Sequence, residues 1–257
     1  MKTRILSSII GLCLLAFVLW SGGLMIDIAI VGLIIIALYE MKTALAKKGM
    51  HINSVLNLAT TFAMMLCVRF EEYELCYKMI PIVVAINVVL FVFKRDESLT
   101  DLMANIFVVV YIILFFFHLT FFESLTYFAI IPITAWGSDT FAYFTGCKFG
   151  KNKLCPHLSP KKTVEGALGG IVGSLILVVL YALIFKIDNM LFVILAGIFG
   201  AIAGQIGDLV ASKIKRICDI KDFGYIMPGH GGVLDRFDSI LLTTPVIYFL
   251  YSLLILN

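Results

Sequence analysis

The chain has 257 residues, of which 61% are hydrophobic and only 14% charged, with a formal net charge of +3. That composition excludes an ordinary soluble globular domain. So slight a net charge gives no basis for a nucleic-acid partner, and charge has to be read loop by loop.

The apolar runs are solid rather than alternating and far longer than the roughly 10-residue strands of a membrane β-barrel. Helices of roughly 20 residues suit a bilayer core. The expected fold class is therefore an all-α polytopic membrane protein with about nine transmembrane helices and a polar site facing the cytoplasm. In chain order the spans fall at 5–19, 24–38, 55–68, 79–93, 102–117, 124–136, 167–185, 190–206 and 240–256. The first has a basic flank, Lys2 and Arg4, as a signal peptide would. It lacks a small-residue cleavage site and turns through Ser21-Gly22-Gly23 into the next span, so it is expected to be retained. Six cysteines, at 13, 67, 76, 147, 155 and 218, include no CxxC pair and suggest neither a zinc site nor a disulfide framework.

An amino terminus in the cytoplasm, alternating through nine spans, collects 17 of the 20 Lys and Arg on one side; Arg69, Lys78 and Lys186 lie on the other. By the positive-inside rule that side is the cytoplasm, which leaves the carboxyl terminus outside. A multi-pass protein of the cell membrane follows, divided into amino-terminal spans, 1–123, and a carboxyl-terminal catalytic region, 124–257.

Two polar connections look built for chemistry. The first, 142–166, follows a polar pair, Ser138-Asp139, and carries Ser159-Pro160-Lys161-Lys162-Thr163. Ser159 and Pro160 read as the cap and first residue of a new helix. An anion at that start would meet free N–H groups together with Lys161 and Lys162. Glycines at 166, 169, 170 and 173 and small residues at 196, 197, 200, 201 and 204 mark one face of each of the next two helices. Close helix packing is their plain explanation, and it sets this loop beside the start of the second connection.

That connection, 207–239, packs five carboxylates, five cations and one histidine into 33 residues. Asp208 closes an apolar run, where an unpaired carboxylate is costly. Asp235 and Asp238 are three apart and share a helical face. Oxygen ligands without clustered Cys or His suit Mg²⁺ rather than zinc; the plainer alternative is a belt of salt bridges to Lys213, Lys215, Arg216 and Arg236. Pro228-Gly229-His230-Gly231-Gly232 bares its backbone to a ligand such as a phosphate, with His230 as a donor, an acid or base, or simply a turn-stabilising group. Lys221 and its neighbours upstream suit a polyphosphate or anionic lipid headgroups.

The run from Ser212-Lys213-Ile214-Lys215-Arg216 through Lys221-Asp222 to Pro228-Gly229-His230-Gly231-Gly232-Val233-Leu234-Asp235-Arg236-Phe237-Asp238 resembles the signature of the phosphatidate cytidylyltransferases, or CDP-diacylglycerol synthases. The segments 138–143 and 159–166 resemble a second conserved region of that family. The resemblance implies transfer of a cytidylyl group from CTP to phosphatidic acid, giving CDP-diacylglycerol and pyrophosphate for phospholipid biosynthesis, with Mg²⁺ as cofactor. It implies metal ligation by Asp208 and Asp235, with Asp238 a third ligand, and places Ser212, Lys215 and Arg216 around the phosphates. Lys161 and Lys162 would reach the triphosphate, Arg236 would stabilise the α-phosphate, and Lys221, His230 and Asp139 would bind substrate. The expected partners are CTP, phosphatidic acid and the lipid bilayer, with room for a homodimer and none for nucleic acid.

A lipid phosphate is already anionic, so the reaction needs two anions held together and leaving-group charge stabilised, not an activated nucleophile. A relative acting on another lipid phosphate, a CTP-dependent polyprenol kinase and, from a different class, a cation-coupled transporter are the alternatives. The transporter predicts carboxylates near the midplane of several helices, whereas here they concentrate in one insert.

Overall fold

The protein is described by a computed structural model covering residues 2–122, 124–226 and 231–256. It is built of helices: α1 (Lys2–Ser21), α2 (Gly23–Ala46), α3 (Ser54–Arg69), α4 (Tyr73–Phe93), α5 (Leu99–Val108), α6 (Phe115–Phe117), α7 (Leu125–Phe128), α8 (Ile130–Phe149), α9 (Val164–Phe185), α10 (Met190–Ile217) and α11 (Leu234–Tyr251). A π-helical segment, Val109–Leu114, joins α5 to α6, and a 3₁₀ turn, His118–Phe121, follows α6. Among the described residues six helical segments are long and apolar enough to cross a membrane: Gly23–Ala46, Tyr73–Phe93, Leu99–Phe121, Val164–Phe185, Met190–Ile217 and Leu234–Leu256. The other three predicted spans are also helical, as α1, the 16-residue α3, and α7 with α8.

The chain divides into two compact units, 1–121 with 217–236, and 122–216 with 237–257. In the first, helix starts are fixed by side chains that accept otherwise orphaned N–H groups. Asn53 accepts from Leu56 N at 3.1 Å, and Ser98 and Asp101 form a reciprocal capping box. Asp101 and Asn105 also accept the backbone N–H groups of His51 and Asn53, tying the α2–α3 connection to α5. Ile34, Met41, Met64, Ile112, Ile113, Phe116 and Phe117 are fully buried and form its apolar centre.

In the second unit the glycines set helix spacing. A Cβ at Gly170 would lie 2.8 Å from the Ser138 carbonyl oxygen, and one at Gly173 would run into the Phe141 ring, so the α9 stripe seats α8. The α10 stripe meets α8 and α11: a Cβ at Gly200 would meet Thr134 and Ile247, and Thr243 donates to the Gly200 carbonyl at 3.1 Å.

Two expectations change here. Residues Ser159–Thr163 are not the start of a helix but strand β2, paired antiparallel with β1, Lys153–Cys155. Proline is tolerated on such an edge, and the α9 cap is Thr163, whose Oγ1 accepts from Gly166 N at 3.1 Å. The polar connection 207–239 is also shorter as a loop than its composition suggests. Helix α10 runs on to Ile217 and α11 begins at Leu234.

Candidate active site

Helix α10 carries Asp208, Ser212 and Lys215 at spacings of four and three, on one face. Lys162 of β2 forms an ion pair with Asp208 Oδ2, each side chain part-buried, and Ser212 Oγ approaches Asp208 Oδ1 at 3.4 Å. The hairpin holds Lys162 there because its base is pinned twice. The Val164 N–H donates to the Asn152 carbonyl at 2.9 Å, and the Glu165 carboxylate accepts from Lys151 N at 3.0 Å and Asn152 Nδ2 at 2.8 Å.

On the other flank, α10 touches α11 so closely at Gly207 that a Cβ there would collide with the Asp238 carbonyl oxygen. Asp208 and Asp238 are brought near enough for their charges to act on each other, with Asp139 and Lys215 also within electrostatic range of Asp238. Asp238 Oδ1 accepts from Ser239 N at 2.8 Å, and Ser239 Oγ donates to Asp139 Oδ2 at 3.0 Å. Gln205 ties the helices beneath, donating at 3.0 Å to both Ser138 Oγ and the Ala167 carbonyl. The second unit therefore gathers Asp139, Lys162, Asp208, Ser212, Lys215 and Asp238 into one charged cluster. Lys161 and Arg216 belong to the same unit and are exposed.

The first unit holds Lys221, Asp235 and Arg236. Asp219, in a left-handed conformation at φ 51°, pairs with Lys48 at 2.5 Å, and that ammonium holds its carboxyl below the usual carboxylate range. Lys221 is exposed at a cavity of about 330 Å³ that Tyr39 and Thr43 of α2 and Lys47, just past its end, also line. Asp235 Oδ2 accepts from Phe223 N at 2.8 Å and from Gly232 N at 3.0 Å. Glu40 of α2, only 2% exposed, accepts from Val233 N through Oε1 and from Leu234 N through Oε2, both at 2.9 Å.

These bonds revise the reading of the glycine turn. Three successive amides, 232 to 234, donate to carboxylates of the protein itself. Gly224 and Gly232 make room for Glu40, since a Cβ at either would lie within 3 Å of its carboxylate carbon. His230 lies outside the described residues. Sequence reasoning missed Glu40, Gln205 and Ser239. Glu40 was detectable as a carboxylate just past a long apolar run, the same signal that singled out Asp208.

Among the described residues no group of three or more His, Cys, Asp or Glu side chains is placed to hold a metal ion. A pair of carboxylates is still a fitting donor set for Mg²⁺. That ion keeps several waters and takes further ligands from substrate phosphates, and Asp208 and Asp238 are two hard-oxygen carboxylates near enough to act on each other's charge.

A family model, the cytidylyltransferase family, matches residues 2–254. A protein of Bacillus subtilis (strain 168) named phosphatidate cytidylyltransferase is 33% identical over 269 aligned residues, covering 98% of each chain. Proteins of the same name from Staphylococcus aureus (strain COL) and Staphylococcus epidermidis (strain ATCC 12228) are 35% and 33% identical, each covering 96% of this chain and 97% of the relative. Likeness at that level from end to end takes in the spans, the hairpin and the charged cluster alike, and places the chain in the cytidylyltransferase family.

Proposed function

We propose that the protein is a phosphatidate cytidylyltransferase, joining CTP and phosphatidic acid into CDP-diacylglycerol and releasing pyrophosphate. The observation that carries this reading is identity of 33–35% over nearly the whole length of relatives bearing that name. A phosphate oxygen of the lipid attacks the α-phosphorus of CTP; the new P–O bond forms as the bond to the β-phosphate oxygen breaks, and pyrophosphate leaves with the electron pair. The attacking oxygen is already anionic, so no base has to remove a proton.

The cluster suits that chemistry. Lys162, Lys215 and Ser212 offer donors to a polyphosphate, while Asp208 and Asp238 offer oxygens to a cation. Mg²⁺, when bound, neutralises charge on the phosphates and on the departing pyrophosphate. Lys162 and Asp208 already place both signs of charge at one spot, which is what a magnesium–nucleotide complex requires of its receptor. From the family signature, Asp235 supplies a further carboxylate and Arg236 a guanidinium beside it for the transferring phosphate. Lys161, Arg216 and Lys221 add positive potential for the anionic partners. The site is read as cytoplasmic, where CTP is made.

Purified protein given Mg²⁺, CTP and phosphatidic acid should yield CDP-diacylglycerol and pyrophosphate in equal amounts with no covalent intermediate. Production of CDP with phosphate on the lipid would identify a kinase instead.

A further inference from the structure

We infer that Glu40, a residue of the second helix, is a positioning residue of the transfer reaction: it caps α11 from outside and thereby fixes where Asp235 and Arg236 stand. The inference rests on the function proposed above. An ordinary helix is capped by a side chain just before its first turn. Here the N–H groups at the start of α11, Val233 and Leu234, each donate to one oxygen of Glu40 at 2.9 Å. A buried carboxylate is costly unless hydrogen-bonded, and bonds to an ionised acceptor are the stronger kind. Its charge also sits at the positive end of the helix dipole.

The chain around it is cut to fit. Gly232 and Gly224 face the carboxylate from two segments, and neither position admits a Cβ without moving it. Asp235 closes the same turn from within, through Gly232 and Phe223. The next residue, Arg236, is on the first turn and its N–H donates to the Val233 carbonyl at 3.0 Å. Of the three successive amides that open the turn bearing Asp235 and Arg236, 232 to 234, two are therefore held by Glu40. Reacting groups displaced by even 1 Å lose much of their rate advantage.

The test pairs Glu40→Gln and Glu40→Ala with Gly224→Ala, which pushes on the same carboxylate without removing it. In detergent-solubilised full-length protein without nucleotide or metal, amide exchange at 233 and 234 should accelerate on the order of tenfold or more. The alanine variant should be affected more than glutamine, which keeps one acceptor. With saturating CTP and phosphatidic acid, kcat per folded molecule should fall on the order of ten- to hundredfold while KM for CTP stays within about twofold. Unchanged exchange at 233 and 234 in all three variants overturns the inference, as does full kcat in the folded fraction. If the wild-type protein makes no CDP-diacylglycerol, the proposed function fails, and the exchange measurement alone then decides whether Glu40 holds the turn.

Discussion

At the scale of single residues, Asp208 is the carboxylate on which most converges: Lys162 as counter-ion, Ser212 one turn along, and Asp238 across the helix contact. Asp208→Asn keeps the shape and one acceptor but removes the charge that holds a cation against a polyphosphate. We expect turnover per folded molecule to fall on the order of a thousandfold, ~4 kcal/mol of barrier. If Asp208 served only as a salt-bridge partner, the variant would be less stable yet near-normal in rate, with unchanged Mg²⁺ dependence. Rate measured against Mg²⁺ concentration separates the two. Asp208 was legible because a charge interrupting an apolar run is rarely idle. Its partner was not. Lys162 lies 46 positions away, and sequence spacing offered Lys213, Lys215 and Arg216 first.

At the scale of elements, the α-helical segments and their small-residue faces could be read directly, because the glycine spacings of three and four have no role in an isolated helix. Which helix each stripe meets depended on topology: α9 seats α8, and α10 meets α8 and α11. Gly170→Ala should cost ~1–3 kcal/mol through overpacking. Its Cβ would press on the Ser138 carbonyl and Gln205 Nε2, of which only the amide can move aside freely. A lowered Tm in detergent checks this, and an unchanged Tm would mean that α8 and α9 are less tightly apposed. The strand at Ser159–Thr163 escaped detection because proline following serine disfavours the α conformation at the serine whether a helix or an edge strand comes next. Thr163, three residues before Gly166, was the better cap signal.

At the scale of the whole molecule, the uneven spread of Lys and Arg argues that 142–166 and 207–239 lie in the cytoplasm. In a cysteine-free background, a thiol reagent outside intact cells should reach Asn257→Cys and not Asp219→Cys; modification at 219 would reverse the assignment. The all-α class was legible from hydropathy alone, and all nine predicted spans fall on helices, of which six described segments are long and apolar enough to cross a membrane. The discontinuous make-up of the first unit was not, since nothing local in the sequence announces that 217–236 belongs with 1–121. Glu40 is separated from Val233 and Leu234 by 193 and 194 positions. At roughly 5–20 residues per second of synthesis, it leaves the ribosome about 10–40 s before its partners exist. Throughout that interval an apolar helix carries a carboxylate with neither amide to meet it, so the amino-terminal unit cannot be finished in order of translation. Completion of that unit waits on residues 233 and 234, since a chain stopped short of them leaves this buried acid without those two donors.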